Sequence, residues 1–511
     1  MKRQSLIKGT VVLGVAGIVA KFLGLFFRWP LQMLIGDLGM GYYQTSYPIY
    51  MFFIAVASGI PVAVSKMVSE KNALGDREGV VQVLRKAMFI MLCAGAGFTI
   101  LMLLFSRQLI SILSWNDKSY YALMGIAIAP IFISIMSVLR GFFQGLQNMN
   151  YTAVSQILEQ IGRVVVGVGL AFVLLPKGIE FAAGGAALGA AAGGILGGSY
   201  LIVKYFIVKR EFHFEKIRND NKILGNILYI AIPISLGAAV GSIMALIDSV
   251  LVQQKLLLAG FTRTEATILF GQLTGKAFVL INVPLTLSMA LCVSIVPAIA
   301  EAHVLQNNRE VLNKVEFAIK LSSAIALPSL FGLFFMASPI LNLIFPGQAQ
   351  GFQILKYLSI TIPFIVIAQI STAILQGLGK YIAPVINLSI GCIVKIIITV
   401  VLVPMPSINV YGAVIGSIAG YVIIAILNMS LLKRTLKSKI NYYDAIVKPG
   451  YASLVMITAV VFLYKYVYNY TMSNGIACIL SILIGVLIYG IFIFVFGIFN
   501  YGDVKKKILK R

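Results

Sequence analysis

KGTVVLGVAGIVAKFLGLFFRWPLQMLI, residues 8–35, decides the fold class. Beyond Lys8 the only charges in this run are Lys21 and Arg28. As a helix it would extend about 42 Å, more than the roughly 30 Å hydrocarbon core of a bilayer. The opening Met-Lys-Arg followed by Val11–Ala20 imitates a signal peptide, but the apolar pattern continues past Lys21 through Phe27. A retained membrane helix is therefore expected. Pro30, which lacks an N–H donor, is expected to end or kink it.

The rest of the chain repeats this pattern. Of its 511 residues, 59% are apolar and only 11% charged, and the mean hydropathy is +0.95. Soluble domains carry about 25% charged residues, so a water-soluble globule is excluded. Apolar runs bounded by Pro, Gly and charged loops begin at 8–35 and end at 475–499, giving about 14 expected spans. No polar stretch is long enough to hold a soluble catalytic domain, and the chain is read as an all-α polytopic membrane protein and not an enzyme. Cys93, Cys292, Cys392 and Cys478 form no CxxC pair, and His213 and His303 are isolated. Metal sites need clustered ligands, so no metal or other resident cofactor is expected.

Charge sets the orientation. The net charge is +24, which in a soluble protein would suggest nucleic acid. Here the cations sort by connection: 28 fall on one side, among them Lys66, Arg77, Arg85, Arg140, Lys204, Lys222, Arg309 and Lys433, against six on the other. The positive-inside rule then puts both termini in the cytoplasm, and nucleic acid is not needed to explain the excess. Reporter fusions after Lys222 and Lys439 are predicted to read cytoplasmic; an external signal at either would break the assignment.

An internal repeat is also visible. Gln144-Gly145 recurs as Gln376-Gly377, and at the same offset Arg163 meets Lys395. Gly185, Gly189 and Gly193 recur as Gly412, Gly416 and Gly420, and Arg77-Glu78 as Arg309-Glu310. The expected organisation is a six-helix bundle at 1–210, a basic cytoplasmic linker at 211–222, and a second six-helix bundle at 223–435. Helices 13 and 14, with a basic cytoplasmic tail, complete it at 436–511. An offset of six spans preserves orientation, so the halves are parallel repeats, as in transporters that rock around a central site.

Ions inside hydrocarbon cost about 2.5–3.5 kcal/mol on insertion scales, so they normally face a cavity or a partner. Lys21 and Arg28 lie two helical turns apart on one face. Glu159 and Arg163, four apart, can neutralise each other across one turn. Lys395 keeps the repeat's cation but has Gly391 where the acid would be. Asp248 and Lys276, on the seventh and eighth spans, can pair or act separately. Cations outnumber acids, and an interior of that sign suits an anionic substrate.

The segments KFLGLFFRWPLQMLIGDLGMGYYQTSYPIY, SGIPVAVSKMVSE and RGFFQGLQNMNYTAVSQILEQIGRV carry a resemblance that extends over essentially the whole chain. They resemble the stage V sporulation protein B and lipid II flippase-like branch of the multidrug/oligosaccharidyl-lipid/polysaccharide exporter superfamily. The resemblance implies two six-helix bundles in a V, with helices 13 and 14 forming a groove for a lipid tail. The implied cargo is an undecaprenyl-pyrophosphate-linked sugar of the peptidoglycan-precursor type, for vegetative wall or spore cortex, moved from inner to outer leaflet. Cavity cations of lipid II flippases match Lys21, Arg28 and Lys276 here. Two of these are Lys, which lacks the bidentate fork of Arg, and the second span has no cation before Lys66. A coupling-ion site for Na⁺ or H⁺ would fall on Asp248 and Asn387. A monomer in the cell membrane, working beside cell-wall synthesis enzymes, is expected. Competing readings are a cation-coupled multidrug exporter, which the interior's sign disfavours, and a membrane glycosyltransferase or polymerase. The latter needs positioned carboxylates, whereas Asp37, Asp117, Glu180 and Glu265 are scattered through short external loops.

Overall fold

The computed structural model describes residues 6–209, 222–436 and 440–498; within its helices, the side chains of 6–11, 18, 21, 25, 236, 237, 240, 241, 290, 293, 294 and 297 lie outside the description. Every regular element among the described residues is helical. Eleven helical stretches are long and apolar enough to cross a membrane, or twelve if the bent pair Phe352–Leu358 and Thr361–Gly377 is one span. The expected 14 requires two further readings. One divides the 62-residue stretch Val12–Ala73 in two; the other counts the seventh run, which forms the 26-residue helix Lys222–Ile247.

Helix α1 (Leu6–Ala57) shows why that division is needed. At 1.5 Å per residue its 52 residues would reach about 78 Å, far beyond one bilayer. Pro30, where an end or a kink is expected, lies inside the helix, and the break in helical geometry comes at Gly36, with φ 62° and ψ −169°. Proline forfeits one hydrogen bond yet keeps a helical φ, whereas a positive φ combined with an extended ψ is essentially confined to glycine.

Contacts divide the chain into two compact units, Met1–Gly271 and Gln272–Arg511. The first unit comprises α1, α2 (Gly59–Ala73), α3 (Arg77–Ile112), α4 (Tyr120–Ala127), α5 (Ala129–Gly145), α6 (Met149–Leu174) and α7 (Ile179–Lys209). It continues through α8 (Lys222–Ile247), α9 (Gln253–Leu258) and α10 (Arg263–Gly271), with a π-helical turn at Asp248–Val252. Its core runs from Phe27 and Leu31 to Ile223, Ile227 and Ala231 of α8. Gly59 N–H donates to Ser235 Oγ at 3.2 Å, fixing α8 against α2.

The second unit holds a π-helical turn at Gln272–Ala277, α11 (Phe278–Val304), α12 (Asn308–Phe335), α13 (Ala337–Ile344), α14 (Phe352–Leu358) and α15 (Thr361–Gly377). It ends with α16 (Ile382–Leu402), α17 (Tyr411–Leu436), α18 (Lys448–Thr471) and α19 (Asn474–Val495). The last pair is tied down by polar contacts: Tyr489 donates to Ala324 O at 2.8 Å, and Asn474 Nδ2 to Pro339 O at 3.2 Å. Leu483, Val486 and Leu487 of α19 stay 57–65% exposed, an apolar surface suited to lipid rather than water.

The repeat is visible contact by contact. α5 and α15 end at Gly145 and Gly377. A Cβ on Gly145 would meet Ser65 O at 2.7 Å, and one on Gly377 would meet Val296 O at 3.0 Å. Gly189 lies against Arg163 O as Gly416 lies against Lys395 O. Helix starts match too. Asp76 accepts from Gly79 N at 2.8 Å to cap α3, and Asn307 accepts from Glu310 N at 3.1 Å to cap α12.

The Asp76 cap has a pH signature. The hydrogen bond from Lys71, at 2.7 Å, and then that from Gly79 N–H hold its carboxyl below the usual carboxylate range. A lowered folded value means the stabilisation is complete above about pH 4 and fades as pH falls through the folded value. Asp76→Ala is expected to cost about 1 kcal/mol. Thermal unfolding of the two proteins at neutral pH and near pH 3 should show the difference shrinking in acid.

Candidate functional site

The site in the first unit grows from two helix faces. On α1, Tyr43, Tyr47 and Tyr50 recur at spacings of four and three, so their rings share one face. On α6, Glu159 and Arg163 are one turn apart near the middle of a 26-residue helix. The rings form a ladder: Tyr43 stacks on Tyr47 at 5.6 Å, and Tyr47 tilts against Tyr50 at 5.9 Å. The two faces meet at Tyr47. Arg28 lies over its ring with Cζ 5.6 Å from the centroid, and Arg163 Nη1 donates to its hydroxyl at 3.5 Å. The other arm of Arg163 donates to the Tyr50 hydroxyl at 3.4 Å.

Glu159 serves two guanidinium groups. Arg140 Nη2 binds its Oε2 at 3.0 Å, while Arg163 Nη2 binds its Oε1 at 3.4 Å. Arg140 also donates through Nε to Ser155 Oγ at 2.8 Å. The sequence assigned Arg140 to a cytoplasmic connection; it instead lies in the penultimate turn of α5, mostly buried and paired. The cluster built on Tyr47 and Glu159 thus holds three guanidinium groups and one carboxylate, which binds Arg140 and Arg163 while Arg28 lies over the Tyr47 ring. Guanidinium groups do not deprotonate in proteins, so the cluster is a net cation. Arg28 and Tyr47 remain partly exposed, which leaves this charge within reach of a ligand.

The other expected residues are placed differently. The side chain of Lys21 is outside the described residues. Lys276, in the second unit, is fully buried; its ammonium donates to Gln348 O at 2.7 Å and Gln350 O at 3.3 Å. These carbonyls belong to the 345–351 connection, in which Gly347 and Gly351 take positive φ. In this conformation Lys276 fastens that connection. Lys395 is 1% exposed on α16. Asn387 donates to Asn428 Oδ1 at 2.8 Å, and Asn428 passes a hydrogen bond to Thr372 Oγ1 at 3.0 Å. Asp248, in the first unit, is 3% exposed at the start of the π-turn. Its neighbour Ser249 donates to Thr45 O at 2.8 Å and accepts at its carbonyl from Trp115 Nε1 at 2.9 Å. Asp248 and Asn387 thus fall in separate units.

Tyr47 and Arg140 were missed by sequence reasoning. The helical spacing of Tyr43, Tyr47 and Tyr50 was the available signal for the first. For Arg140 there was little, since only five residues separate it from the turn at Leu146-Gln147.

The sequence model of the polysaccharide biosynthesis protein family matches residues 6–303. The chain belongs to this family. Among similar members, stage V sporulation protein B of Bacillus subtilis is 29% identical over 86% of this chain and 86% of its own. Lipid II flippase MurJ of the same organism is 26% identical over 84% of this chain and 83% of its own. A solved structure of lipid II flippase MurJ in an inward closed conformation matches with a TM-score of 0.71, covering 97% of this chain and 99% of that one, at 17% identity. That structural likeness concerns the fold. The chain is thus a multi-pass membrane protein of the polysaccharide biosynthesis protein family.

Proposed function

We propose that the protein carries an undecaprenyl-pyrophosphate-linked saccharide, a peptidoglycan-precursor type of cargo, from the inner to the outer leaflet. The observation that carries this reading is the convergence of Arg28 and Arg163 on Tyr47. A pyrophosphate cannot enter hydrocarbon bare, because an uncompensated charge there is very costly. Two guanidinium groups beside a low-dielectric wall offset that desolvation and grip phosphate oxygens bidentately. Tyr47, the partly exposed ring of the ladder, offers a flat, partly polar face against which a sugar can lie. The prenyl tail needs no shelter, since it stays in lipid. The chemistry is then binding, reorientation and release, with no covalent step.

The cationic cluster also argues against export of cationic drugs, which it would repel. Depleting the protein and quantifying lipid-linked precursors tests the reading: the pyrophosphate-linked saccharide should accumulate facing the cytoplasm. Unchanged precursor pools would remove it.

A further inference from the structure

Of the two arginines that bind Glu159, Arg163 is the less satisfied. A guanidinium carries five N–H donors. The contacts of Arg163 to Tyr47, Tyr50 and Glu159 are all 3.4–3.5 Å, at the far edge of hydrogen-bond range. Its Nε is buried with no acceptor. Arg140 contrasts with it, holding Ser155 at 2.8 Å and Glu159 at 3.0 Å. The single carboxylate is thus bound tightly to Arg140 and loosely to Arg163. All three charged side chains are 11–15% exposed, so none is neutralised by bulk water alone.

Glu159 presents to Arg163 what an anionic cargo would also bring: a pair of oxygens that share negative charge and can accept from one guanidinium. Resting on the pyrophosphate reading above, we propose that Glu159 is a built-in competitor of the cargo for Arg163. In the empty protein it parks the guanidinium. When a pyrophosphate arrives, with more charge and more oxygens, it takes Arg163 together with Arg28, and Glu159 is left wholly to Arg140. Release follows the reverse exchange, with the carboxylate retaking Arg163 as the cargo departs. Arg140 is then a positioning residue. It never touches the cargo, and it sets affinity by deciding how much of Glu159 remains for Arg163.

The arrangement has a property that a merely structural ion-pair cluster lacks: its two arms push binding in opposite directions. Glu159→Gln keeps the side-chain volume and removes the competitor, so Arg163 is available throughout. Arg140→Gln removes the stronger claimant, so Glu159 closes fully on Arg163. In the double variant Arg140 has nothing left to position, so binding should equal that of Glu159→Gln alone.

The test uses the full chain in lipid nanodiscs with undecaprenyl pyrophosphate as the probe, measuring affinity and, in proteoliposomes, turnover. Glu159→Gln should bind about tenfold more tightly, the change expected when one partly buried charge pair no longer competes, and should turn over more slowly because release is impaired. Arg140→Gln should bind about tenfold more weakly. Should Glu159→Gln fail to fold, Arg140→Gln is read by itself: weaker binding supports the competition, and equal or tighter binding overturns it. If the wild-type chain binds the probe and Glu159→Gln binds it equally or less well, the competition is wrong and the cargo reading stands. If the wild-type chain does not bind the probe, the cargo reading itself fails.

Discussion

Arg28→Ala and Arg163→Ala should each lower cargo transport by at least about tenfold, and the double variant should be inactive while still inserting in the membrane. Truncating one member of a desolvated charge contact typically costs about 2–5 kcal/mol, and 1.4 kcal/mol is already tenfold. Folding should survive for a structural reason. Removing Arg163 leaves Glu159 with Arg140 at 3.0 Å, a neutral pair also supported by Ser155. Removing Arg28 forfeits only a cation–π contact with Tyr47, worth about 0.5–2 kcal/mol. Arg28→Lys should recover part of the activity, because charge returns but the planar fork does not. Precursor flipping in proteoliposomes, with membrane fraction and size-exclusion profile as controls, checks both points. Normal transport in both single variants would mean that the cluster around Tyr47 is not where cargo is held.

The second large effect should come from the glycine seam between α6 and α7. A Cβ on Gly193 would lie 2.5 Å from the carbonyl oxygen of Glu159, and one on Gly189 would lie 2.8 Å from that of Arg163. Backbone meets backbone there, so no side chain can turn aside. Leucine at either position must spread the helices, and overpacking of this kind costs about 1–3 kcal/mol or more. The displaced residues are Arg163, which reaches Tyr47, and Glu159, the carboxylate it pairs with. Gly189→Leu and Gly193→Leu should therefore lower both the unfolding temperature in detergent and the yield of monodisperse protein. Gly97→Leu on α3 is the matched control, since a Cβ there meets nothing within 4 Å. Equal stability of all three would show that the seam is looser than described.

How far the sequence reached is best seen residue by residue. The repeat was legible because Gln144-Gly145 and Gln376-Gly377 mark equivalent helix ends, and their glycines allow equivalent close approaches. The Glu159–Arg163 contact was legible because helical periodicity alone puts residues four apart side by side. Arg140 was not, because its partner lies 19 residues away across a helix turn. Only packing of α5 against α6 could bring them together. The break at Gly36 was not legible: Pro30 can stay inside a helix because its ring keeps a helical φ, whereas the break has φ 62° with ψ −169°, a conformation essentially confined to glycine. Lys276 illustrates a further limit. Hydropathy marks it as a costly interior ion, but its acceptors are backbone carbonyls 72 and 74 residues on, which no side-chain pattern announces.

The central claim is that this chain moves a pyrophosphate-linked saccharide across a bilayer using the cations gathered at Tyr47. Its most direct test is a leaflet assay in proteoliposomes loaded with an undecaprenyl-pyrophosphate-linked sugar, scoring the fraction that becomes accessible on the opposite face. The wild-type protein should accelerate that transfer well above protein-free vesicles, and the Arg28→Ala/Arg163→Ala protein should not. Transfer at the protein-free rate with folded wild-type protein, or equal rates for wild-type and double-variant protein, would contradict the account.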